Sequence, residues 1–309
     1  MRGFYFVCYD EYMTQVVAEL LINTHSRRGR EALASILETC EQENIQLTHI
    51  TKLGKPDQLG YTLGVIKRRN PRLLIVGGGD GTVSDVIDHL VDSSITLGII
   101  PLGTTNNFGR SLNIPLDPVE AVRTIKRHSA KAIDLGKVKH DYFANVTGVG
   151  LSAIIAKNVT NKQKKLFGRA AYGFVGVKEL FRHKPFLVTI EDKDHELQVS
   201  FETHQVIIAN GRFHAGRAIA KDADINSREL VIFTLGSGSK LSFIWHTLDF
   251  YLGRRKSIQH TSYIIARNIS LRTSTPQSVE LDGEVKFVTP IPIEVTPGAI
   301  KIRHAPLDM

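Results

Sequence analysis

The stretch "RLLIVGGGDGTVSDVIDHL", residues 72–90, decides the fold. Leu73, Leu74, Ile75 and Val76 form a short apolar run closed by glycine, the pattern of a strand buried on both faces. After the glycines, Val83, Val86, Ile87 and Leu90 recur at helical spacing, with Ser84, Asp85 and Asp88 between them. The reading is strand, bare turn, helix. Without Cβ atoms the turn takes dihedrals closed to other residues and lets another molecule approach its amides. The free N–H groups and positive dipole end of the helix favour an anion, phosphate above all. A tight strand–helix turn with no ligand uses the same glycines, so the local pattern leaves both readings open.

Missing residues narrow the choice. A P-loop needs GxxxxGK followed by Ser or Thr, and no lysine follows these glycines. A dinucleotide fingerprint needs a third glycine where Thr82 stands. Protein-kinase glycine loops come with HRD and DFG motifs, which the sequence lacks.

At 309 residues the chain is long enough for two domains, each with its own core. A hydrophobic content of 42% with 23% charged residues fits a soluble globular protein. The longest apolar runs, such as "ITLGII" (95–100), fall far short of the ~20 residues that span a bilayer. "MRGFYFVCYDEYM" (1–13) lacks the longer apolar core and cleavage site of a signal peptide. Cys8 and Cys40 make no disulfide framework or zinc pattern, so a reducing cytoplasm is the expected compartment. The net charge of +8 points to an anionic partner: nucleotide, nucleic acid or acidic lipid. "NKQKKLFGRAAYGFVGVKELFRHK" (161–184) interleaves Lys and Arg with Phe167, Tyr172, Phe174 and Phe181. Such a segment suits an anionic membrane surface, or an amphipathic helix with its aromatics packed inward.

From about residue 14 to 134, strand-like and helix-like segments alternate, which argues for a parallel, doubly wound sheet. Ligands of such sheets sit beyond the carboxyl ends of the strands. Three polar loops leave those ends: "NTHSRRG" (23–29), "GGGDGT" (77–82) and "PLGTTNNF" (101–108). All three are expected to converge on one crevice. From about 135 to 297 the texture is β-rich, with helix-like stretches near 152–183 and 239–252, as in a largely antiparallel domain. "VELDGEVKF" (279–287) reads locally as a hairpin with Asp-Gly at its turn.

"LLINTHSRRGRE", "GGGDGT", "GIIPLGTTNNFGRSLNIP", "IDLGKV", "FANVTGVGLSA" and "LDGE" follow one another in an order and spacing that resemble the bacterial members of the diacylglycerol-kinase catalytic superfamily. Sphingosine and ceramide kinases belong there too, and the likeness covers about residues 17–300. It implies a three-layer α/β domain with a parallel sheet, similar to that of NAD kinases, then a C-terminal β-sandwich. The tail 298–309 would return to the first domain, with ATP between the domains. The implied activity is transfer of the γ-phosphoryl of ATP to the hydroxyl of a diacylglycerol or sphingoid-like lipid at an anionic membrane. Nucleic acid is not an expected partner, and a homodimer is one assembly the likeness allows. Carried over by position, Asn23, Ser26, Thr51, Gly77, Gly78, Gly79, Asp80, Gly81, Thr82 and Thr104 would contact ATP. Asp80 would engage the nucleotide's Mg²⁺, since a carboxylate beside triphosphate needs a cation between them. Glu284 would be the general base and Asp282 would assist or position it.

The sequence departs from that pattern in two telling places. Asn107 stands where the family usually has Asp, and an amide cannot bind Mg²⁺ as a carboxylate does. In "KDADINSREL" (221–230), Ser227 and Arg228 replace an Asp-Gly pair. Some relatives hold a structural metal there, which Asp224, Ser227 and Glu229 would ligate poorly. Three other readings stay open: a NAD-kinase-like small-molecule kinase, a catalytically impaired nucleotide-binding regulator, and a nucleic-acid binder suggested by charge alone.

Overall fold

The computed structural model describes residues 15–159, 170–214, 217–218, 223–235, 240–241, 243–245 and 263–307. Cys8 and Phe167 lie outside these, as do parts of the helix-like stretches near 152–183 and 239–252. The chain divides into two compact units: residues 1–85, 92–131 and 301–309 form one, and 86–91 with 132–300 the other.

The first unit is a parallel sheet with helices. Strands β1 (Val16–Asn23), β2 (Ile45–Leu53), β3 (Leu73–Gly78) and β4 (Thr96–Pro101) run in the order β2-β1-β3-β4. Lys301–Arg303 extend it, pairing in parallel with Thr96–Gly98. Every residue of β3 is buried, as its unbroken apolar run requires. The connections are α1 (Arg27–Gln42), α2 (Leu59–Arg69), α3 (Asp80–Leu90), α4 (Asn107–Ser111) and α5 (Pro118–Arg127), α3 passing to the second unit from Val86. Ser26 caps α1 by accepting from the Gly29 amide, and Asp117 caps α5 with Pro118 at the first helical position. Asn70 stops α2 in the left-handed conformation. The one surprise is α4, which begins inside the loop read as 101–108. Buried Phe108 anchors it, and five residues are too few for a periodic signal.

The second unit is a β-sandwich. One sheet is antiparallel, in the order β14 (Tyr263–Ala266), β13 (Leu230–Leu235), β10 (Gln205–Ala209), β7 (Val146–Gly150), β16 (Ser278–Leu281), β17 (Glu284–Val288). Its partner layer carries β8 (Phe186–Asp192), β9 (Leu197–Thr203), β15 (Asn268–Thr273), the first part of β18 (Ile291–Arg303), β5 (Ala130–Val138) and β6 (Asp141–Phe143). A short pair, β11 (Phe213–His214) and β12 (Arg217–Ala218), stands apart. Alternation builds two cores. Val206, Ile208, Leu230, Ile232, Val279 and Leu281 meet Val188, Ile190, Ile269 and Leu271 between the sheets. Their neighbours Ile207, Ala209, Val231 and Phe233 point the other way, toward Leu151 of α6 (Leu151–Asn158), Leu180 of the helix Ala170–Arg182, and Phe243. No described helix is long and apolar enough to cross a membrane.

In the first unit one buried charge is held by tertiary structure. Glu19, 3% exposed on β1, accepts two hydrogen bonds from the Arg69 guanidinium at 2.8 and 2.5 Å, with His49 at 3.3 Å. Removing one partner strands a desolvated charge, whereas replacing both removes the problem. Arg69→Met is therefore expected to cost about 3–5 kcal/mol in denaturant unfolding, and Glu19→Leu with Arg69→Met much less. Equal losses in single and double variants would contradict this account.

Candidate functional site

The register of the first sheet sets the site. Ile22 lies opposite Gly77, and Gly77 and Gly78 lie opposite Ile100 and Pro101, so β1, β3 and β4 end along one rim. The three loops leaving that rim surround an open pocket of about 440 Å³. Asn23, Ser26, Arg27 and Arg28 come from the first loop and α1, Gly79, Gly81 and Thr82 from the second, and Leu102, Gly103 and Thr104 from the third.

Hydrogen bonds tie the loops to one another. The Asn23 amide donates to the Thr82 hydroxyl at 2.9 Å, and the Arg28 guanidinium donates to the Gly103 carbonyl at 2.5 Å. Asn106, in the left-handed conformation at φ 50°, clamps Gly103 from both sides. Its oxygen accepts from the Gly103 amide and its nitrogen donates to the Gly103 carbonyl. The Asp80 carboxylate accepts from the Thr105 hydroxyl at 2.6 Å and the Phe108 amide at 3.3 Å.

Each glycine of "GGGDGT" has its own reason. A Cβ on Gly77 would press on Ile22 and Leu102, and one on Gly78 would stand 2.7 Å from Thr82. Gly79 and Gly103 approach each other backbone to backbone, a Cβ on Gly103 falling 2.6 Å from the Gly79 Cα. Gly81 is different: a Cβ there would meet nothing within 4 Å. Packing does not demand glycine in this first turn of α3, where it lowers helix stability. The bare position instead opens onto the pocket, beside amides at a helix N-terminus.

Of the residues expected around nucleotide, the structure gathers Asn23, Ser26, Gly79, Gly81, Thr82 and Thr104 at the pocket. Gly77 and Gly78 are buried in β3 behind it. Thr51 sits on β2 opposite Leu21 and is not part of the wall. Sequence reading missed Arg27, Arg28, Thr105 and Asn106; the run of arginines after Ser26 was the available signal. These groups fit a triphosphate: cations, hydroxyls and amides with room for phosphate at Gly81. Asp80, expected at the nucleotide's Mg²⁺, is not among the residues that line the pocket; its carboxylate is engaged by Thr105 and Phe108.

The hairpin of the second unit is equally specific. Asp282 and Gly283 both have positive φ, 47° and 98°, as an Asp-Gly turn between two strands requires. The Asp282 carboxylate accepts from three backbone amides, Ala144 at 2.7 Å, Asn145 at 3.0 Å and Val146 at 2.9 Å. That geometry ties the turn to the start of β7. Glu284, two residues on, is exposed at the hairpin tip. The turn 224–229 does not suit a metal. The Ser227 hydroxyl donates to the Asp224 carbonyl at 2.8 Å, and Glu229 faces Arg267 at 3.3 Å. Among the described residues no three His, Cys, Asp or Glu cluster as ligands.

Strand–helix turns that gather anion donors around one pocket are the architecture of a phosphate-binding α/β protein. Residues 18–138 match the family model of the diacylglycerol kinase catalytic domain. Residues 145–304 match that of the YegS C-terminal NAD kinase beta sandwich-like domain. The chain belongs to the bacterial diacylglycerol-kinase-like family of lipid kinases. It is 30% identical over 285 residues to a "Putative lipid kinase" of Staphylococcus aureus strain JH9, covering 88% of this chain and 90% of that one. A crystal structure titled as a "putative diacylglycerol kinase" from Bacillus anthracis str. Sterne superposes with a TM-score of 0.80 at 25% identity, covering 98% and 99% of the two chains. A second such structure from the same strain gives 0.75 at 25% identity, covering 94% and 98%.

Gly81→Ala should separate ligand from fold. Thermal melting is expected to hold or rise slightly, since Ala favours the helix by about 0.5–1 kcal/mol. Calorimetry should show affinity for Mg·ATP down at least about tenfold, since the methyl occupies phosphate space. Unchanged affinity would mean that phosphate does not lie over Gly81.

Proposed function

We propose that the protein is an ATP-dependent lipid kinase, moving the γ-phosphoryl group to the hydroxyl of a diacylglycerol or sphingoid-like lipid. The observation that carries this reading is the pocket itself, where three loops present cations, hydroxyls and bare amides around Gly81.

Phosphoryl transfer asks the protein mainly for positioning and charge stabilisation. The amides of the α3 N-terminus and the Arg27 and Arg28 guanidinium groups hold the phosphates, while Ser26, Thr82 and Thr104 offer hydroxyls. Asp80, braced by Thr105, would hold Mg²⁺, which when bound neutralises charge on the phosphate oxygens. Glu284 takes the proton of the lipid hydroxyl as that oxygen forms its bond to the γ-phosphorus and the bond to ADP breaks. Asp282 holds the turn that presents Glu284.

The acceptor is delivered from an anionic membrane, and one face of the second unit suits that surface. Val177 and Phe181 lie one turn apart on the helix Ala170–Arg182, 49% and 58% exposed. Leu241 and Trp245, one turn apart on the next helical segment, are each 67% exposed. Lys240 joins the two, its ammonium 5.8 Å from the Phe181 ring centre. Exposed Lys178, Arg182 and Lys184 lie on or beside that helix. Apolar side chains among cations are what an interfacial site needs.

Two experiments test the reading. Radiolabelled γ-phosphate should pass from Mg·ATP to one lipid band of an extracted mixture, and Glu284→Gln should reduce labelling roughly 100-fold or more, the size of a general-base effect. Equal labelling by both proteins would remove Glu284 as the base. Wild type should also sediment with phosphatidylglycerol vesicles but not phosphatidylcholine vesicles. A Phe181→Ser/Trp245→Ser double variant should lose most of that binding, and undiminished binding would place the membrane face elsewhere.

A further inference from the structure

The motif "FANVTGVGLSA", whose first amides hold Asp282, also supplies two residues that enclose a deeply buried acid of the second unit. Glu280 is 3% exposed. Its strand neighbours Val279 and Leu281 enter the sandwich core, so Glu280 points through the opposite face of the sheet. There it lies across from Gly148 of β7. A Cβ on Gly148 would stand 2.5 Å from Glu280 Oε1 and 2.3 Å from the Ser152 hydroxyl of α6. Those two oxygens are therefore no more than about 5 Å apart, over a residue that must be glycine to admit them. The Ser152 hydroxyl is itself buried and has no hydrogen-bond partner in the structure. The other carboxyl oxygen, Oε2, accepts from the Gly283 amide at 2.6 Å. Glu280 thus reaches from the sheet to the centre of the turn whose next residue is Glu284.

We propose that Glu280 is a positioning residue of the transfer site: as the neutral acid it holds the Asp282–Gly283 turn in the form that presents Glu284, and losing its proton releases that turn. The proposal rests on Glu284 being the base. A neutral carboxyl accepts from Gly283 through one oxygen and carries its proton on the other, toward Ser152, whose lone pairs lack a donor. An ionised one would confine negative charge beside the Asp282 carboxylate, away from water. Burial first, then Asp282, push the Glu280 carboxyl up to about 8, against the Gly283 hydrogen bond, which pulls it down. Asp282 is the charged group acting on it. β7 faces it with Gly148, α6 with Ser152 and β17 with Val285, none of which titrates in this range.

The test is the pH profile of lipid phosphorylation between pH 6 and 9.5 in wild type, Glu280→Gln and Glu280→Ala, with the Gly283 amide resonance followed by NMR. Wild-type kcat should fall through a limb near pH 8. Glu280→Gln, a permanently neutral mimic, should keep near-normal kcat at pH 7 and lack that limb. Glu280→Ala, with melting checked, should lose roughly 10–100-fold in kcat with little change in KM for ATP, as a displaced base would. The Gly283 resonance should titrate near pH 8 in wild type and stay flat in Glu280→Gln. A limb that survives in Glu280→Gln, or a flat wild-type resonance, overturns the proposal. A wild type that titrates at Gly283 but phosphorylates no lipid supports the proton-held turn and removes the kinase reading instead.

Discussion

Two backbones in contact set the geometry of the first unit's pocket. Gly79, at the head of α3, and Gly103, after β4, come so close that a Cβ on Gly103 would stand 2.6 Å from the Gly79 Cα and one on Gly79 3.1 Å from the Gly103 Cα. Neighbouring hydrogen bonds hold that approach: the Leu102 amide donates to the Gly78 carbonyl at 2.8 Å, and Asn106 grips Gly103 through both ends of its amide. With the two turns in contact, the wall they share is peptide instead of side chain. Amides reach an anion at close range only from such a wall. A Cβ on Gly103 would push the two turns apart.

The hairpin of the second unit solves a related problem with carboxyl groups. Three acids lie within five residues, at positions 280, 282 and 284, and each meets a different environment. Asp282 accepts from three backbone amides. Glu280 faces glycine, a hydroxyl and a single amide out of contact with water, which favours the neutral acid. Glu284 faces solvent. The first two hydrogen-bond around the turn and leave the third exposed at its tip. Neighbouring acids given different environments can take different roles, as acid–base sites require.

How much of this was legible in the sequence depends on the range of each interaction. The strand–helix unit at 72–90 was plain, because full burial of β3 and the helical spacing of Val83, Val86 and Leu90 are local signals. So were the Ser26 and Asp117 caps and the Asp-Gly turn, each decided within a few residues. The α4 helix was not, since its anchor is the burial of Phe108. Nor could sequence tell Asn106, whose left-handed backbone lets it clamp Gly103, from Asn107 beside it. Arg28 reaches a carbonyl 75 residues away, and Glu280 looked like an ordinary alternating polar residue until strand register set it over Gly148. Ser227 lies between these extremes. It departs from the Asp-Gly pattern in sequence, and the fold shows its hydroxyl bonded to a carbonyl of its own turn.

The charge around the pocket completes the argument. Arg27, Arg28 and Arg30 stand at the start of α1, with no acid in that first turn. Cations at the positive end of a helix dipole are unfavourable by about 0.3–1 kcal/mol each. Arg27 has Glu31 at 3.7 Å, an exposed pair of little strength. Among the described residues Arg28 and Arg30 donate to the carbonyls of Gly103, Thr24 and His25, which brace the loops and carry no formal charge. The arginines therefore shape the loops and concentrate positive potential at one rim. An anion bound there binds the folded chain and not the unfolded one, so the charge that weakens the isolated fold strengthens the occupied one. Glycine at position 81, unhelpful to its helix and needed by no neighbour, leaves the same rim open at its backbone.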